Sequence, residues 1–523
     1  MKKKLDGWNL ASYYRVPIPF ILNISQILIT LKIYITTIIL LLSAICRSEA
    51  AYPLRETRAI WLTTLNGLDW PDTKATTEKN INKQKKELTD ILDRLQKANI
   101  NTVLFQTRVR ATSVFPSTPE TGNEPWDRCL TGTNGRTPNY DPLAFAIDEC
   151  HRRGMELHAW IVTIPIGKWN DAGCRHLRSN IPNAVMRIGD EGYMNPANPQ
   201  TAEYLARYCQ SITRRYDVDG IHLDYIRYPE TIKTVPNADA ARKNITSIME
   251  KIYNAVKQEK GWVKVSCSPI GKHDDTKRFS SRGWNARSRV YQDVKEWMSR
   301  GIVDIVFPMM YFRGNHFYPF LTDWQEGAAA CTVVPGLGAY LLHQGEKDWP
   351  LTEMTRQLNV ARQSGMGFCF FRSRFFTNNT KGIYDYVYSQ FAPYPALPPA
   401  LPQKQPAALP TPEFLTVHEI GGHTIMKWNM QESSLTTAGG IAFNIYASHS
   451  YPVDTSNPQN LIAMKRSTQY MLIPAEAQQC YYAVTAINRY GHESSACQQS
   501  IVPEQICTKR AWQHCRKAMH TDQ

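Results

Sequence analysis

Residues Asp219-Gly220-Ile221-His222-Leu223-Asp224-Tyr225-Ile226-Arg227-Tyr228-Pro229 set a single carboxylate near the end of an apolar strand. Alternate residues of a strand share a face, so His222, Asp224 and Ile226 are expected on one side and Leu223 and Tyr225 on the other. The run lies between two helix-like segments, where a parallel strand is covered on both faces. A carboxylate buried there needs a partner or a task, because an unpaired buried charge is costly. The bland alternative is an Asp that caps a loop or pairs with Arg227. The chemistry open to it is acid–base work; glycoside hydrolysis, for one, usually takes one carboxylate as acid and another as nucleophile or base. Asp224 is read as the general acid, with His222 tuning it. An apolar surround raises its pKa and Arg227 lowers it, and an acid working near neutral pH needs the first effect to prevail. By position, Asp274 and Asp275 are the nearest partners, while Glu120, Glu124, Glu191, Glu346 and Asp348 fall in other loops on the same side. A substrate N-acetyl group would supply its own nucleophile, leaving one enzyme acid sufficient.

The elements that must position these groups alternate regularly. Apolar runs at 59–62, 102–105, 156–164, 220–226, 263–269, 302–311, 332–340 and 367–371 read as strands. Amphipathic segments at 78–98, 142–153, 201–216, 238–257, 290–299, 321–329, 352–363 and 383–391 read as helices; Leu88, Ile91, Leu92 and Leu95 show the helical spacing in the first. Eight strand–helix units predict an α/β fold, a (β/α)8 TIM barrel, over residues 51–391. A doubly wound open sheet is the alternative, but no glycine-rich first turn is present. Loops 110–140 and 165–198 would then lie on the catalytic face. Residues 392–412, with Ala-Pro-Tyr-Pro-Ala-Leu-Pro-Pro-Ala-Leu-Pro, read as a stiff extended linker. Short strands resume at 424–428, 441–446, 469–473 and 480–488, predicting a small all-β sandwich over 413–500 and a tail over 501–523.

Active sites of such barrels gather at the C-terminal ends of the strands. Those ends offer Trp61, Gln106, Arg108, His158 and Trp160, then His222, Arg227, Tyr311 and Arg372. Aromatic rings with a few fixed polar groups suit a sugar, the rings stacking on its face while Gln, Arg and His reach hydroxyls. Core packing is the competing role for Trp61 and Trp160. His158 and His222 lack an evident third metal ligand, and neither a metal nor another cofactor is expected.

The chain has 523 residues, 43% of them hydrophobic and 20% charged, enough for two or more domains. Lys2, Lys3 and Lys4 precede an apolar run at 33–45, and Ser48-Glu49-Ala50 offers small residues for cleavage, so residues 1–50 read as a signal peptide or membrane-targeting segment. Cys46 raises lipidation, and an uncleaved membrane anchor is the other reading. That segment carries six Lys/Arg and two Asp/Glu, so its removal takes the net charge from +14 to +10. The surplus is diffuse, with no basic run and no nucleic-acid motif, and nucleic acid is not an expected partner. The oligomeric state is not legible. Twelve cysteines fit no zinc spacing; Cys150, Cys209, Cys267, Cys331 and Cys369 fall in core-like segments, while Cys480 with Cys497, or Cys507 with Cys515, would pair in an oxidising compartment.

Several motifs in order resemble the glycosyl-hydrolase-like family 10 barrels over residues 54–391. They include Arg58-Ala59-Ile60-Trp61-Leu62-Thr63, Asn101-Thr102-Val103-Leu104-Phe105-Gln106-Thr107-Arg108 and Glu124-Pro125-Trp126. Tyr140-Asp141-Pro142-Leu143, the 151–160 run ending His158-Ala159-Trp160, Asn195-Pro196-Ala197-Asn198-Pro199, the 219–229 run and Val303 to Tyr311 complete the set. The resemblance implies carbohydrate chemistry, a bacterial envelope location in periplasm or at the cell surface, and a polysaccharide substrate such as peptidoglycan glycan strands. The fourth strand also resembles the chitinase pattern Asp-Gly-x-Asp-x-Asp-x-Glu, with His222 for the middle Asp, Asp224 matching the last and Ile226 in place of the catalytic Glu. Phe312 stands where chitinases carry an acid after Tyr. Residues 482–491 resemble a late strand and turn of a fibronectin type III module, with Trp428 as its core tryptophan. A glycoside hydrolase is therefore expected, against a non-catalytic glycan-binding barrel or an adhesion protein working through its C-terminal module.

Overall fold

The computed structural model describes residues 52–498 apart from 233–234, 236, 280–282, 402–408, 421–422, 431–439, 467–468 and 474–479. The expected leader with Cys46, the tail and the Cys507–Cys515 pair lie outside the described residues. No helix among the described residues is long and apolar enough to cross a membrane.

Strands β1 (Arg58–Leu62), β2 (Thr102–Arg108) and β3 (Glu156–Val162) lie side by side in parallel. The loop after β3 folds into a small antiparallel sheet of β4 (Pro165–Lys168), β5 (Val185–Ile188) and β6 (Glu191–Met194), with β6 in the middle. The main sheet resumes with β7 (Gly220–Asp224), β8 (Lys264–Ser268), β9 (Ile305–Val306), β10 (Thr332–Val333), β11 (Gly336–Gly338) and β12 (Phe368–Phe371). Its order is β10-β9-β8-β7-β3-β2-β1-β12-β11. β10 and β11 are two pieces of one strand interrupted at Val334-Pro335; the first pairs with β9 and the second with β12. Gly336 N–H donates to Pro308 O, which seals the gap and closes an eight-stranded parallel barrel. The expected runs 302–311 and 332–340 are shorter as regular strands, because Pro308 and Pro335 each lack the N–H a ladder needs.

Helices cover the outside. Thr77 accepts from Asn80 N–H at the start of helix Glu78–Lys97, which turns Leu88, Leu92 and Leu95 inward. Asp141 and Asn198 cap helices Pro142–Arg152 and Pro199–Arg215, each with Pro in its first turn, so two of the sequence motifs are helix starts. The apolar shell between strands and helices is separate from a smaller lumen cluster containing Trp61, Leu104, Trp160, Phe307 and Cys369.

The linker runs as extended chain docked on the barrel over its first part. Leu397 N–H donates to Leu54 O, Glu56 N–H donates to Leu397 O, and the Asn101 side chain holds Ala396 O. Beyond it, β13 (Glu413–Ile420), β14 (His423–Asn429), β15 (Ile441–Ser448), β16 (Leu461–Arg466), β17 (Tyr470–Ile473), β18 (Tyr481–Asn488) and β19 (Cys497–Gln498) form the all-β sandwich. One sheet has the order β13-β14-β17 and the other β16-β15-β18-β19. Trp428, Phe443, Ile445 and Tyr482 are buried between them. Arg489 ties this domain to the N-terminal face of the barrel, 2.7 Å from Asp217 and 3.3 Å from Asp219. Cys497 is a free thiol, so it is not bonded to Cys480, which sits in the sandwich core. The five cysteines expected in core segments lie there, Cys331 half-buried.

Candidate active site

Asp224 ends β7 at the C-terminal mouth of the barrel. Its Oδ1 accepts from Ser268 Oγ at 2.8 Å and from Tyr225 N–H at 2.8 Å, and its Oδ2 accepts from Trp160 Nε1–H at 3.2 Å. Burial raises its pKa above the ordinary carboxylate range; Arg227 and these three donors act in the opposite direction without reversing it. The main chain is held as well, since Thr163 N–H and Oγ1 both donate to Asp224 O, at 3.0 and 2.9 Å.

Below Asp224 the lumen is filled in layers. His222 is fully buried; it accepts from Trp61 Nε1–H at 3.1 Å on Nε2 and faces Ser266 Oγ at 3.0 Å with Nδ1. This arrangement fits a neutral imidazole protonated on Nδ1. Burial, then the neighbouring His158, hold its pKa well below the ordinary histidine value. His158 is fully buried one layer deeper, where the absence of a side chain at Gly220 makes its space: a Cβ there would meet the ring at 2.6 Å. Its Nε2 lies 3.3 Å from Glu156, which Lys264 grips at 2.6 Å. No group of three His, Cys, Asp or Glu among the described residues is arranged to hold a metal.

Above Asp224 opens a cleft of about 440 Å³. Trp160, Tyr193, Tyr225, Tyr311 and Phe371 give it aromatic walls, and Gln106, Arg110 and Glu191 add polar groups. Of the expected sugar ligands, the structure brings Gln106, Trp160 and Tyr311 to the cleft with Asp224. Gln106 Oε1 is already committed, accepting from Thr63 Oγ1 and from Thr64 and Leu65 N–H at 2.6–2.9 Å, and so shapes the first loop.

The other expected residues are elsewhere. Trp61, His158 and His222 are lumen packing. Arg108 is fully buried outside the lumen, because a register shift after Gln106 breaks the alternation of β2. It forms an ion pair with Glu124 at 2.6 Å and donates to Val162 O and Thr163 O. Arg227 stacks 3.5 Å above the Tyr225 ring and pairs with Glu230 at 2.7 Å. Arg372 braces Asp69 at 2.6 Å across the seam between β12 and β1. Asp274 and Asp275, expected as the second carboxylate, do not line the cleft; Ser288 Oγ donates to Asp274 at 2.8 Å, and Arg287 lies 3.4 Å away. The irregular loop after β8 carries them past the mouth.

Several cleft residues, Tyr225, Tyr193 and Glu191 among them, are not among the ligands expected from the sequence. Tyr225 is expected opposite Asp224, but its φ of +56° ends the strand and swings the ring over the same cleft. The left-handed region is unfavourable for such a residue, and the Arg227 stack together with the Tyr225 OH bond to Glu230 at 2.8 Å holds it there. Tyr193 and Glu191 share one face of β6, while Gly192 and Met194 face the core. The period-two pattern of Glu-Gly-Tyr-Met is readable, but the site it faces is not.

The class the structure defines is a parallel (β/α)8 barrel with a half-buried acid and aromatic walls at its C-terminal mouth. Residues 56–335, more than half of the chain, match the glycosyl hydrolase-like 10 model, and the chain belongs to that family. It is similar to "Glycosyl hydrolase YngK" of Bacillus subtilis, 26% identical over 483 residues that span 84% of this chain and 92% of that one. It is also similar to "Glycosyl hydrolase DigH" of Escherichia coli K12, 28% identical over 351 residues that span 58% of this chain and 79% of that one. Among solved structures, an alpha-L-fucosidase isoenzyme from Paenibacillus thiaminolyticus aligns at 15% identity and TM-score 0.43, over 64% of this chain and 50% of that one.

Proposed function

We propose that this protein is an exported glycoside hydrolase acting on an amino-sugar polysaccharide of the bacterial envelope, such as peptidoglycan glycan strands. The observation that carries the reading is Asp224, a carboxylate held by three donors at the floor of an aromatic-walled cleft. Family membership and two relatives named as glycosyl hydrolases support the reaction class. Export rests on the basic and apolar leader ending near Ala50, with Cys46 as the residue that would carry a lipid. The C-terminal sandwich, with three strands in one sheet and four in the other around Trp428, is read as a fibronectin type III-like module that orients the barrel on a polymer.

In this reading Trp160, Tyr225 and Tyr311 stack on sugar rings and shed water from the cleft, which strengthens the electrostatic effect of Asp224 on the reacting acetal. The test is incubation of the purified protein and of Asp224→Asn with peptide-free glycan strands, products being read by mass spectrometry. Shorter strands with new reducing ends from the wild type alone are expected. Equal products from both proteins would remove Asp224 from the chemistry, and intact strands from both would remove the hydrolase reading.

A further inference from the structure

Asp224 and Glu191 are the two carboxylates that line the cleft among the described residues. Their side chains differ in hydrogen bonding. Asp224 is engaged on both oxygens by fixed donors, so although burial raises its pKa, a proton on it would compete with the Ser268, Tyr225 and Trp160 donors. Glu191 is half-buried, its side chain makes no hydrogen bond or ion pair with another described residue, and it lines the cleft.

The placement of Glu191 is not that of a loose surface acid. It begins β6, the central strand of the small sheet, paired with Lys168 on one side and Ile188 on the other. The opposite face of β6 is buried, and a side chain at Gly192 would collide with Cys174 Sγ. Met194 N–H donates to Ile164 O at 2.8 Å, and the adjacent Thr163 holds Asp224 O. A short run of hydrogen-bonded backbone thus connects the two carboxylates.

Resting on the hydrolase reading above, we propose that Glu191 is the proton donor to the departing glycosidic oxygen and that Asp224 remains the anion beside the anomeric carbon. The bond between that carbon and the glycosidic oxygen breaks with its electron pair on the oxygen, which takes the Glu191 proton. Water supplies the oxygen of the new reducing-end hydroxyl; of its two protons, one stays on that hydroxyl and the other restores the carboxyl pair. This reassigns the acid role that the sequence pattern gives to Asp224 and replaces Asp274 and Asp275 as the second carboxylate.

The test compares wild type, Glu191→Gln and Asp224→Asn on two substrates: peptide-free glycan strands, and a dinitrophenyl glycoside of the same disaccharide, whose leaving group needs no proton. Loss of a general acid lowers rates by about 10²–10⁴-fold on the strands. Glu191→Gln is expected to show that loss on the strands while keeping most of the wild-type rate on the aryl glycoside, and to lose the basic limb of the pH–rate profile. Asp224→Asn is expected to lose both activities. Equal losses on the two substrates for Glu191→Gln, or no loss on strands, would overturn the assignment while leaving the hydrolase reading intact. A wild type that cleaves neither substrate would sink the hydrolase reading and the assignment with it.

Discussion

Replacing Glu124 by Ala tests whether Arg108 is a brace rather than a sugar ligand. Arg108 and Glu124 side chains are both 0% exposed. Burial works against the charge on Arg108, but the adjacent carboxylate more than offsets this and keeps its pKa above the ordinary value. Without Glu124, the Nε and Nη2 donors lose their acceptors, while Nη1 keeps Val162 O and Thr163 O. Tyr204 OH loses its 2.8 Å bond to Glu124 and retains Thr121 O, and Ser113 retains Tyr208. The stranded guanidinium therefore accounts for most of the loss, and breaking a buried pair in this way costs about 3–5 kcal/mol. With an unfolding entropy of about 2.1 cal/mol/K per residue over roughly 340 barrel residues, Tm should fall by about 4–7 °C. The double variant Arg108→Met/Glu124→Met, which removes both charges, should lose less than Glu124→Ala alone and still bind peptide-free glycan. Thermal unfolding followed by circular dichroism, with glycan binding by calorimetry, measures both. A Glu124→Ala protein melting within about 1 °C of wild type, or a double variant that folds but no longer binds glycan, would refute the reasoning.

His222 should make the fold acid-sensitive. Its folded pKa lies well below 6.5, so below that pH the unfolded chain binds a proton the folded chain does not, and stability falls as pH falls. Denaturant titrations from pH 7 downward should therefore show wild type losing stability relative to His222→Gln; parallel curves would argue against a neutral buried His222. Tyr225→Gly separates wall from scaffold. Relief of left-handed backbone strain, about 1–2 kcal/mol, roughly balances the lost stack with Arg227, about 0.5–2 kcal/mol. Tm should barely move, while KM for glycan strands rises; an unchanged KM would remove Tyr225 from the sugar-binding surface.

Most of the barrel could be read along the chain, and most of the site could not. The places of Asp224, Trp160 and Tyr311 at the barrel mouth were legible because a strand end names a barrel end. Arg108 and Tyr225 were misplaced because a register shift in β2 and a left-handed residue after β7 break the alternation on which strand reasoning rests. Trp61, His158 and His222 obey the alternation and do point inward, but the lumen has depth, and their level within it places them under the cleft rather than in it. Their core role follows from packing against Phe307, Ser266 and Gly220, residues far away in sequence.

The sequence by itself determined the number and order of strand–helix units, the acid at the fourth strand end and the β-rich C-terminal domain. Each of these is written in local periodicity, capping residues or proline spacing, which act within a few residues. The tertiary structure alone decided which second carboxylate faces Asp224's cleft and which polar groups are braces. Glu191 arrives there because the loop after β3 folds into its own sheet and buries Gly192 and Met194, while the Asp274 loop passes elsewhere. Such choices depend on long-range packing and on how buried charges find partners, and no local pattern records them.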